Sequence, residues 1–465
     1  MSGKPNILWI YCDELRADAL GCYGNDQFQP DTPNIDSIAE AGVRFENCFC
    51  DSPVCVPSRV SVLTGLHPEG SGVYHNEGSW KRFQIPRPMT TFPEMFAARG
   101  YATADFGKLH VPPQMQPWQH RRPEGAGMKE VQAGCRDKDM ISPGVGTFIG
   151  GRFRSRKPFP AEQVTRNALA WLTEADRPWL ARLSYLQPHT PVCPPPPFDS
   201  LYPPASFRDH LTEAPQVSAF ERRFAQVVAA DSLTGEQIQL AQAYYYGLVA
   251  WIDSQVGLVL DFLRRTDQQR QTIVVFDSDH GASLGEGGCY AKHIFAPQVH
   301  RIPRLISLPG VLPAGTVRSD ICQGLDLART LFGLCGMTAP KQFRGRDLFA
   351  DEAPEAVYSS IGFGLPDSKA FPNLGKGEYV GGRGWPRRAC IRTAQYRLDC
   401  NVRIDGRPAD DPDRDVFLTD RQADPAEQTN IAEDPAAADV RARLQSMLNE
   451  HVATALEPDP AVVRR

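Results

Sequence analysis

The chain has 465 residues and sets 50 Lys plus Arg against 55 Asp plus Glu, a formal net charge of -5. That balance, with a pI near 6.1, offers no global attraction to nucleic acid. A composition of 42% hydrophobic and 23% charged residues excludes a disordered tail and a membrane bundle, and the length suits one large domain with a smaller one attached.

The first element is NILWIYCD (Asn6–Asp13), a short apolar run ending in acidic residues. This is the pattern of a buried parallel strand whose carboxyl end delivers polar groups to a site. The apolar burst Ile7–Tyr11 is short for a secretory signal and lacks a small-residue cleavage site, so the expected location is cytoplasmic. No apolar run approaches the length that spans a bilayer, and no membrane partner is expected. In TPNIDSIAEAGVRF, Asp36 or Ser37 begins a helix that carries Ile38 and Ala41 and stops at Gly42. TTFPEMFAARGYATADFGKLH repeats the theme, with a helix from Thr91 closed by Gly100 and then a strand ending near Lys108 and His110. A third helix, AEQVTRNALAWLTEAD, precedes the strand WLARLSYLQPH, which ends at His189. A long amphipathic helix, AQAYYYGLVAWIDSQVGLVLDFLRRT, leads to the buried strand QTIVVFDSDHG with Asp279-His280 at its end. The alternation predicts an α/β fold, a sheet with helices on both faces and a ligand crevice beyond the carboxyl ends of the strands. From about Asp351 the pattern shifts to short alternating segments and a final helix from about Pro435 to Leu456. Residues 1–350 therefore read as the large α/β domain and 351–465 as a smaller α+β subdomain.

The 12 cysteines are scattered and contain no C-x-x-C pair. Cys48 and Cys50 form a C-x-C with nothing nearby to complete a zinc set. Most are expected to be reduced, buried small hydrophobes, Cys12 and Cys289 among them. Four separated strand ends carry chemistry: Asp13-Glu14, Lys108-x-His110, His189 and Asp279-His280. Carboxylates with one imidazole make a mixed oxygen and nitrogen set that suits a divalent cation. Taken singly, each residue has an equally ordinary reading as a helix cap, a solvated lysine or a satisfied loop histidine.

The stretch CVPSRVSVLTG, Cys55 to Gly65, resembles the C-x-P-S-R-x-x-x-L-T-G signature of the type I, formylglycine-dependent sulfatases. The resemblance continues, in order, through PNILWIYCDELRADALGCYGN, TFPEMFAARGYATADFGKLH, QPHTPVCPPPPF, IVVFDSDHGASLGEGGCYAKH and the tail DVFLTDRQADPAEQTNIAED. It implies an alkaline phosphatase/sulfatase-like fold, a large, mostly parallel mixed sheet sandwiched by helices, with a short antiparallel sheet and terminal helix after it. It also implies that a maturation enzyme, formylglycine-generating or equivalent, oxidises Cys55 to formylglycine, whose hydrate attacks a small-molecule sulfate ester. Asp13, Glu14, Asp279 and His280, with residue 55, resemble the metal shell. Ca²⁺ is the family's usual ion and Mg²⁺ or Mn²⁺ are rivals. Glu14 stands where relatives commonly have Asp, Asn or Gln, which puts denticity and metal preference in question. Pro57 suits the first turn of a helix, and Cys55 then lies at its positive end. Arg59, one turn on, is expected to pair with the hydrate oxygen and the sulfate. Lys108 and Lys292 resemble sulfate clamps, His110 the residue that orients the hydrate and later takes its proton, and His189 a general acid.

His75, Asn76, His293, His300 and Arg301 are weaker candidates, and GVYHNEGSW reads equally as a substrate contact or a turn. GRFRSRKPF and WPRRACIRT read as solvated surface in preference to a binding site for an acidic sugar. The competing functions are a phosphonate monoester or phosphodiester hydrolase built on the same site, and a silent scaffold, which would have lost the ligands that are present. The alcohol and the oligomeric state have no readable code.

Overall fold

A computed structural model describes residues 4–456, except 26–28, 80, 82, 124, 126–127, 142–148, 156, 177, 211–217, 229–232, 363–385, 405–406 and 411–413. An eight-stranded sheet organises the large domain. Its order is Thr316–Gln323, Val43–Phe49, Arg304–Ser307, Thr272–Ser278, Asn6–Asp13, Trp179–Pro188, Ala102–Gly107 and His120–Arg122. Only Arg304–Ser307 runs antiparallel to its neighbours; the other adjacent pairs are parallel. The sheet is thus mixed and mostly parallel, as expected.

The central strand explains why a continuous apolar run is needed there. Leu8, Ile10 and Cys12 join the core on one face of the sheet, while Ile7, Trp9 and Tyr11 join the core on the other. Both alternating sets are buried, which a one-sided strand would not permit. The long helix Gly235–Arg265 covers the first face through Leu248, Ile252, Val256 and Val259. The opposite face carries the helix Cys55–Thr64, whose Val56, Val60 and Leu63 pack with Phe92, Phe96 and Leu331.

Several boundaries differ from the sequence reading. The first helix spans Pro33–Glu40 and begins before Asp36, because Pro33 arrives with helical φ and needs no N–H partner in the first turn. Asp36 instead accepts from the Cys22 amide at 2.9 Å and the Thr32 hydroxyl at 3.0 Å. The long helix starts at Gly235 under a capping box formed by Thr234 and Gln237, which supplies the orphan amide partners upstream of the apolar pattern. By length and hydropathy this helix, contrary to the sequence reading, is apolar enough to cross a membrane. It lies instead against the sheet as a core helix, with Tyr244 to Asp253 all buried. Cys135 and Cys193 form a disulfide, and the other ten cysteines are free, with Cys12 and Cys289 in the core.

The chain after residue 351 builds a second, antiparallel sheet ordered Val357–Gly362, Pro386–Arg392, Tyr396–Ile404 and Arg407–Pro408, with Phe417–Asp420 also paired to Tyr396–Ile404. Helix Ala438–Val452 seals it with Leu444 and Leu448 against Ile391 and Leu398. The solvated reading of WPRRACIRT fails for Arg388 and Arg392. Arg388 and Arg392 are fully buried, because carboxylates come from distant parts of the chain: Asp399 and Asp415 hold Arg388, and Glu427 holds Arg392. Trp385 lies outside the described residues. In GRFRSRKPF, Arg154 pairs with Asp199 at 3.0 Å at the surface.

Candidate active site

Four strand ends of the sheet and one helix start converge. Helix Cys55–Thr64 begins at Cys55, so Pro57 falls in the first turn, where its missing N–H is no loss. Asn76 Oδ1 accepts the Val56 amide at 3.0 Å, capping the helix from outside its own segment. Ser58 Oγ donates to the Asp279 carbonyl at 2.7 Å, fastening the helix to the end of strand Thr272–Ser278. The helix stops at Gly65, with φ +66, where a Cβ would lie 2.6 Å from the Phe343 backbone. At the other side, the register of strand Asn6–Asp13 slips between Cys12 and Asp13. Such an irregularity re-aims a side chain at a strand end, here the Asp13 carboxylate.

Four groups face the Cys55 sulfur. Lys292 Nζ is 3.2 Å away, His280 Nε2 3.3 Å, Asp13 Oδ1 3.6 Å and Lys108 Nζ 4.0 Å. His110, beyond these four, also helps to lower the Cys55 pKa. Cys55, Asp13, Asp279 and His280 are fully buried. Burial alone would raise the Cys55 pKa, but Lys108, Lys292 and His280 outweigh it and hold the thiol well below its ordinary range. Burial would lower His280, yet the Asp279 and Cys55 charges push it up to about 9. Asp13 is drawn down against burial and Cys55 by Lys108, His189 and Arg59. Position 55 thus sits buried among charges that favour an anion.

Arg59 reaches the two strand-end carboxylates. Its Nη2 donates to Asp13 Oδ2 at 2.7 Å and its Nε to Asp279 Oδ2 at 2.9 Å. Nη1 donates to the Lys108 carbonyl and Ser184 Oγ. The planar fork aligns two carboxylates, a role that the sequence reading did not foresee. It takes Oδ2 of each and leaves Asp13 Oδ1 toward Cys55 and Asp279 Oδ1 3.5 Å from His280 Nε2.

Glu14 presents Oε2 to Lys292 at 3.2 Å and to His189 Nε2 at 3.4 Å, while its buried Oε1 has no hydrogen-bond partner. His189 donates from Nδ1 to the Thr190 carbonyl at 2.6 Å, which aims Nε2 at Glu14 and Asp13. Glu14, His110 and His293 have φ of 67, 50 and 81°. Left-handed backbone at non-glycine residues costs on the order of 1–3 kcal/mol each and concentrates at functional sites.

The donor set passes the test for a divalent ion. Asp13, Cys55, Asp279 and His280 each bring a ligand atom within 4.8 Å of the others, and Asp13, Glu14 and His189 do the same beside them. The orphaned Glu14 Oε1 is a further hard donor. An oxygen-rich set with one imidazole suits Ca²⁺, Mg²⁺ or Mn²⁺.

The weaker candidates divide. Asn76 is the helix cap. The His75 and His293 rings stack at 5.9 Å, and both are held below the ordinary histidine range by burial. His300 is structural: it faces the Cys50 carbonyl, the Ser359 hydroxyl and Arg392. Arg301 pairs by backbone with Phe49 and lines a cavity of about 660 Å³ with Arg16, Asp18, His210, Glu286 and Arg397. None of the candidate catalytic or metal residues lines that cavity. Sequence reasoning missed Ser184, which shares the Lys108 carbonyl with Arg59, and Tyr245, whose hydroxyl donates to the Glu14 carbonyl at 2.7 Å. Neither carries a signal, since each looks like any core position of a strand or helix.

The chain is similar to known proteins over most of its length. The Sulfatase family profile matches residues 5–337. An ulvan-active sulfatase of Formosa agariphila is 28% identical, covering 97% of this chain and 81% of its own. A choline-sulfatase of Rhizobium meliloti is 26% identical over 93% of this chain and 83% of its own, and an arylsulfatase of Clostridium perfringens is 27% identical over 74% and 78%. Among solved structures, the phosphonate monoester hydrolase of Agrobacterium radiobacter superposes with a TM-score of 0.78 at 21% identity, covering 97% of this chain and 96% of that one. BT4656, in complex with its substrate D-glucosamine-2-N,6-O-disulfate, gives 0.72 at 21%, covering 97% and 98%.

Proposed function

We propose that this chain, which belongs to the sulfatase family, hydrolyses a sulfate monoester to an alcohol and inorganic sulfate, using a formylglycine hydrate matured from Cys55. The observation that carries the reading is the ring of Lys292, His280, Asp13 and Lys108 within 4.0 Å of one buried sulfur. A structural cysteine has no use for two ammonium groups and an imidazole, whereas an oxyanion ester has.

Asp13, Glu14, Asp279, His280 and residue 55 would hold the divalent ion, Ca²⁺ in our reading, and when bound it supplies Lewis acidity to the nucleophile. Lys108 and Lys292 bind sulfate oxygens and orient sulfur for in-line attack. One hydroxyl of the hydrate, its proton released to solvent, forms the new oxygen–sulfur bond as the sulfur–alkoxide bond breaks. His189 gives the departing oxygen a proton from Nε2. His110 then takes the proton of the second hydroxyl, the carbonyl reforms, and the carbon–oxygen bond to sulfate breaks with its electron pair leaving on sulfate. Water rehydrates the aldehyde. A serine at position 55 lacks the second hydroxyl and has no such exit, which is the chemical reason for the modification.

The phosphonate monoester hydrolase likeness supports a second reading, a phosphonate or phosphodiester hydrolase with the same nucleophile. Turnover of matched aryl sulfate, aryl phosphonate and aryl phosphate diester substrates separates the two. A preference for the sulfate is expected, and a large preference for either phosphorus ester refutes the first reading.

A further inference from the structure

A second cluster of metal-ligating side chains lies apart from Cys55, where the large domain meets the terminal helix. His67 and Glu69 belong to the turn three residues beyond the signature helix, at the start of the short helix Pro68–Ser71. His451 comes from the last turn of helix Ala438–Val452. One nitrogen from each histidine and one Glu69 oxygen all lie within 4.8 Å of one another. We propose that His67, Glu69 and His451 form a second, structural site for a divalent transition ion of the zinc type, clamping the terminal helix to the catalytic domain.

The donor chemistry selects the ion. Two imidazoles and one carboxylate are the ligands of zinc, and they suit Ca²⁺ or Mg²⁺ poorly. The geometry is close to what is needed. His451 Nε2 and Glu69 Oε2 are 3.3 Å apart, about the separation of two ligands on a tetrahedral ion at ~2.0–2.1 Å. Only His67 must draw inward.

The surroundings orient the donors as supporting groups around a metal do. Ser360 Oγ donates to Glu69 Oε1, leaving Oε2 for the cluster. Gln323 Oε1 accepts the Tyr358 amide at 3.2 Å, which fixes the amide so that its Nε2 faces His67 Nε2 at 3.4 Å. That contact uses the lone pair on His67 Nε2, so an ion bound at this nitrogen takes the place of the Gln323 donor. The Tyr358 ring stacks on His451 at 4.1 Å and 6°, holding the imidazole plane. Glu69 is 1% exposed, so its charge has few partners other than the histidines. Four separate stretches of chain supply these groups, and none of them takes part in the Cys55 chemistry.

The test counts zinc on the full-length protein. Wild-type and His451→Gln protein are stripped with chelator, loaded with Zn²⁺, desalted and measured by elemental mass spectrometry. The wild type is expected to hold one equivalent more than His451→Gln, and zinc should raise the melting midpoint of the wild type further than that of the variant. Equal zinc content in the two folded proteins overturns the site. Should His451→Gln fail to fold, a wild-type crystal soaked in zinc and measured at the zinc absorption edge decides: an anomalous peak between His67, Glu69 and His451 supports the site, and its absence there overturns it. The sulfatase reading stands or falls separately, on turnover.

Discussion

Replacing Arg59 with Met tests whether this side chain works by holding carboxylates. In the fold its guanidinium bridges Asp13 at 2.7 Å and Asp279 at 2.9 Å, with all three side chains fully buried. Asp13 keeps a second cation after the change, since Lys108 Nζ lies 2.5 Å from its Oδ2. Among the described residues Asp279 keeps the amides of Glu14 and His280 as hydrogen-bond donors, each at 3.0 Å, and the His280 imidazole at 3.5 Å. The loss is therefore close to that of one uncompensated buried charge, about 3–5 kcal/mol. Arg59→Lys should fall between wild type and Met, because one ammonium cannot bridge both acids as a planar fork does. Urea unfolding followed by tryptophan fluorescence, in chelator, reads the stability, and steady-state kinetics on an aryl sulfate read activity. Both are expected to fall together. An Arg59→Met protein within about 1 kcal/mol of wild type, with a raised KM and an unchanged kcat, would mean that Arg59 meets the substrate and would refute the argument.

Three further outcomes follow from the same contacts. Asp51 is buried, and burial together with Asp326 raises its pKa well above the carboxylate range. A raised carboxyl stabilises the fold below its unfolded pKa of about 3.9, and that contribution is lost as pH rises through the folded value. Asp51→Asn should thus gain on wild type as pH rises from 4 to 9, by urea midpoint; a pH-independent difference contradicts this. Asn76→Ala removes the cap on Val56 and should cost about 0.5–2 kcal/mol of stability, with Asn76→Asp recovering most of it. His189→Gln should slow esters of poorly leaving alcohols far more than those of acidic phenols, because only the former need the proton. Equal slowing across a leaving-group series would remove His189 from that role.

The strand ends were legible because a buried parallel strand needs an unbroken apolar run, so the polar residues that interrupt it, Asp13 and Asp279, mark where the crevice begins. The signature segment was legible for a related reason: few helices open on Cys-x-Pro-Ser-Arg. The aim of Arg59 was not. Spacing places it one turn beyond Cys55, but which acids it meets depends on how two strands from opposite parts of the chain end beside it. The buried Arg388 and Arg392 were hidden for the same reason, their partners Asp399, Asp415 and Glu427 being defined only once the second sheet closes. Asn76 lies seventeen residues from Arg59 and 20 from the amide it caps, a separation no local capping rule covers. The starts of helices Pro33–Glu40 and Gly235–Arg265 were displaced because capping chemistry, not apolar periodicity, sets them.

The most direct measurement is mass spectrometry of the tryptic peptide Phe45–Arg59 from batches of differing specific activity, paired with sulfate release from the same batches. The account predicts that activity rises in proportion to the fraction of Cys55 converted to aldehyde and vanishes where only thiol is found. Full activity in protein whose Cys55 remains an unmodified thiol would contradict it.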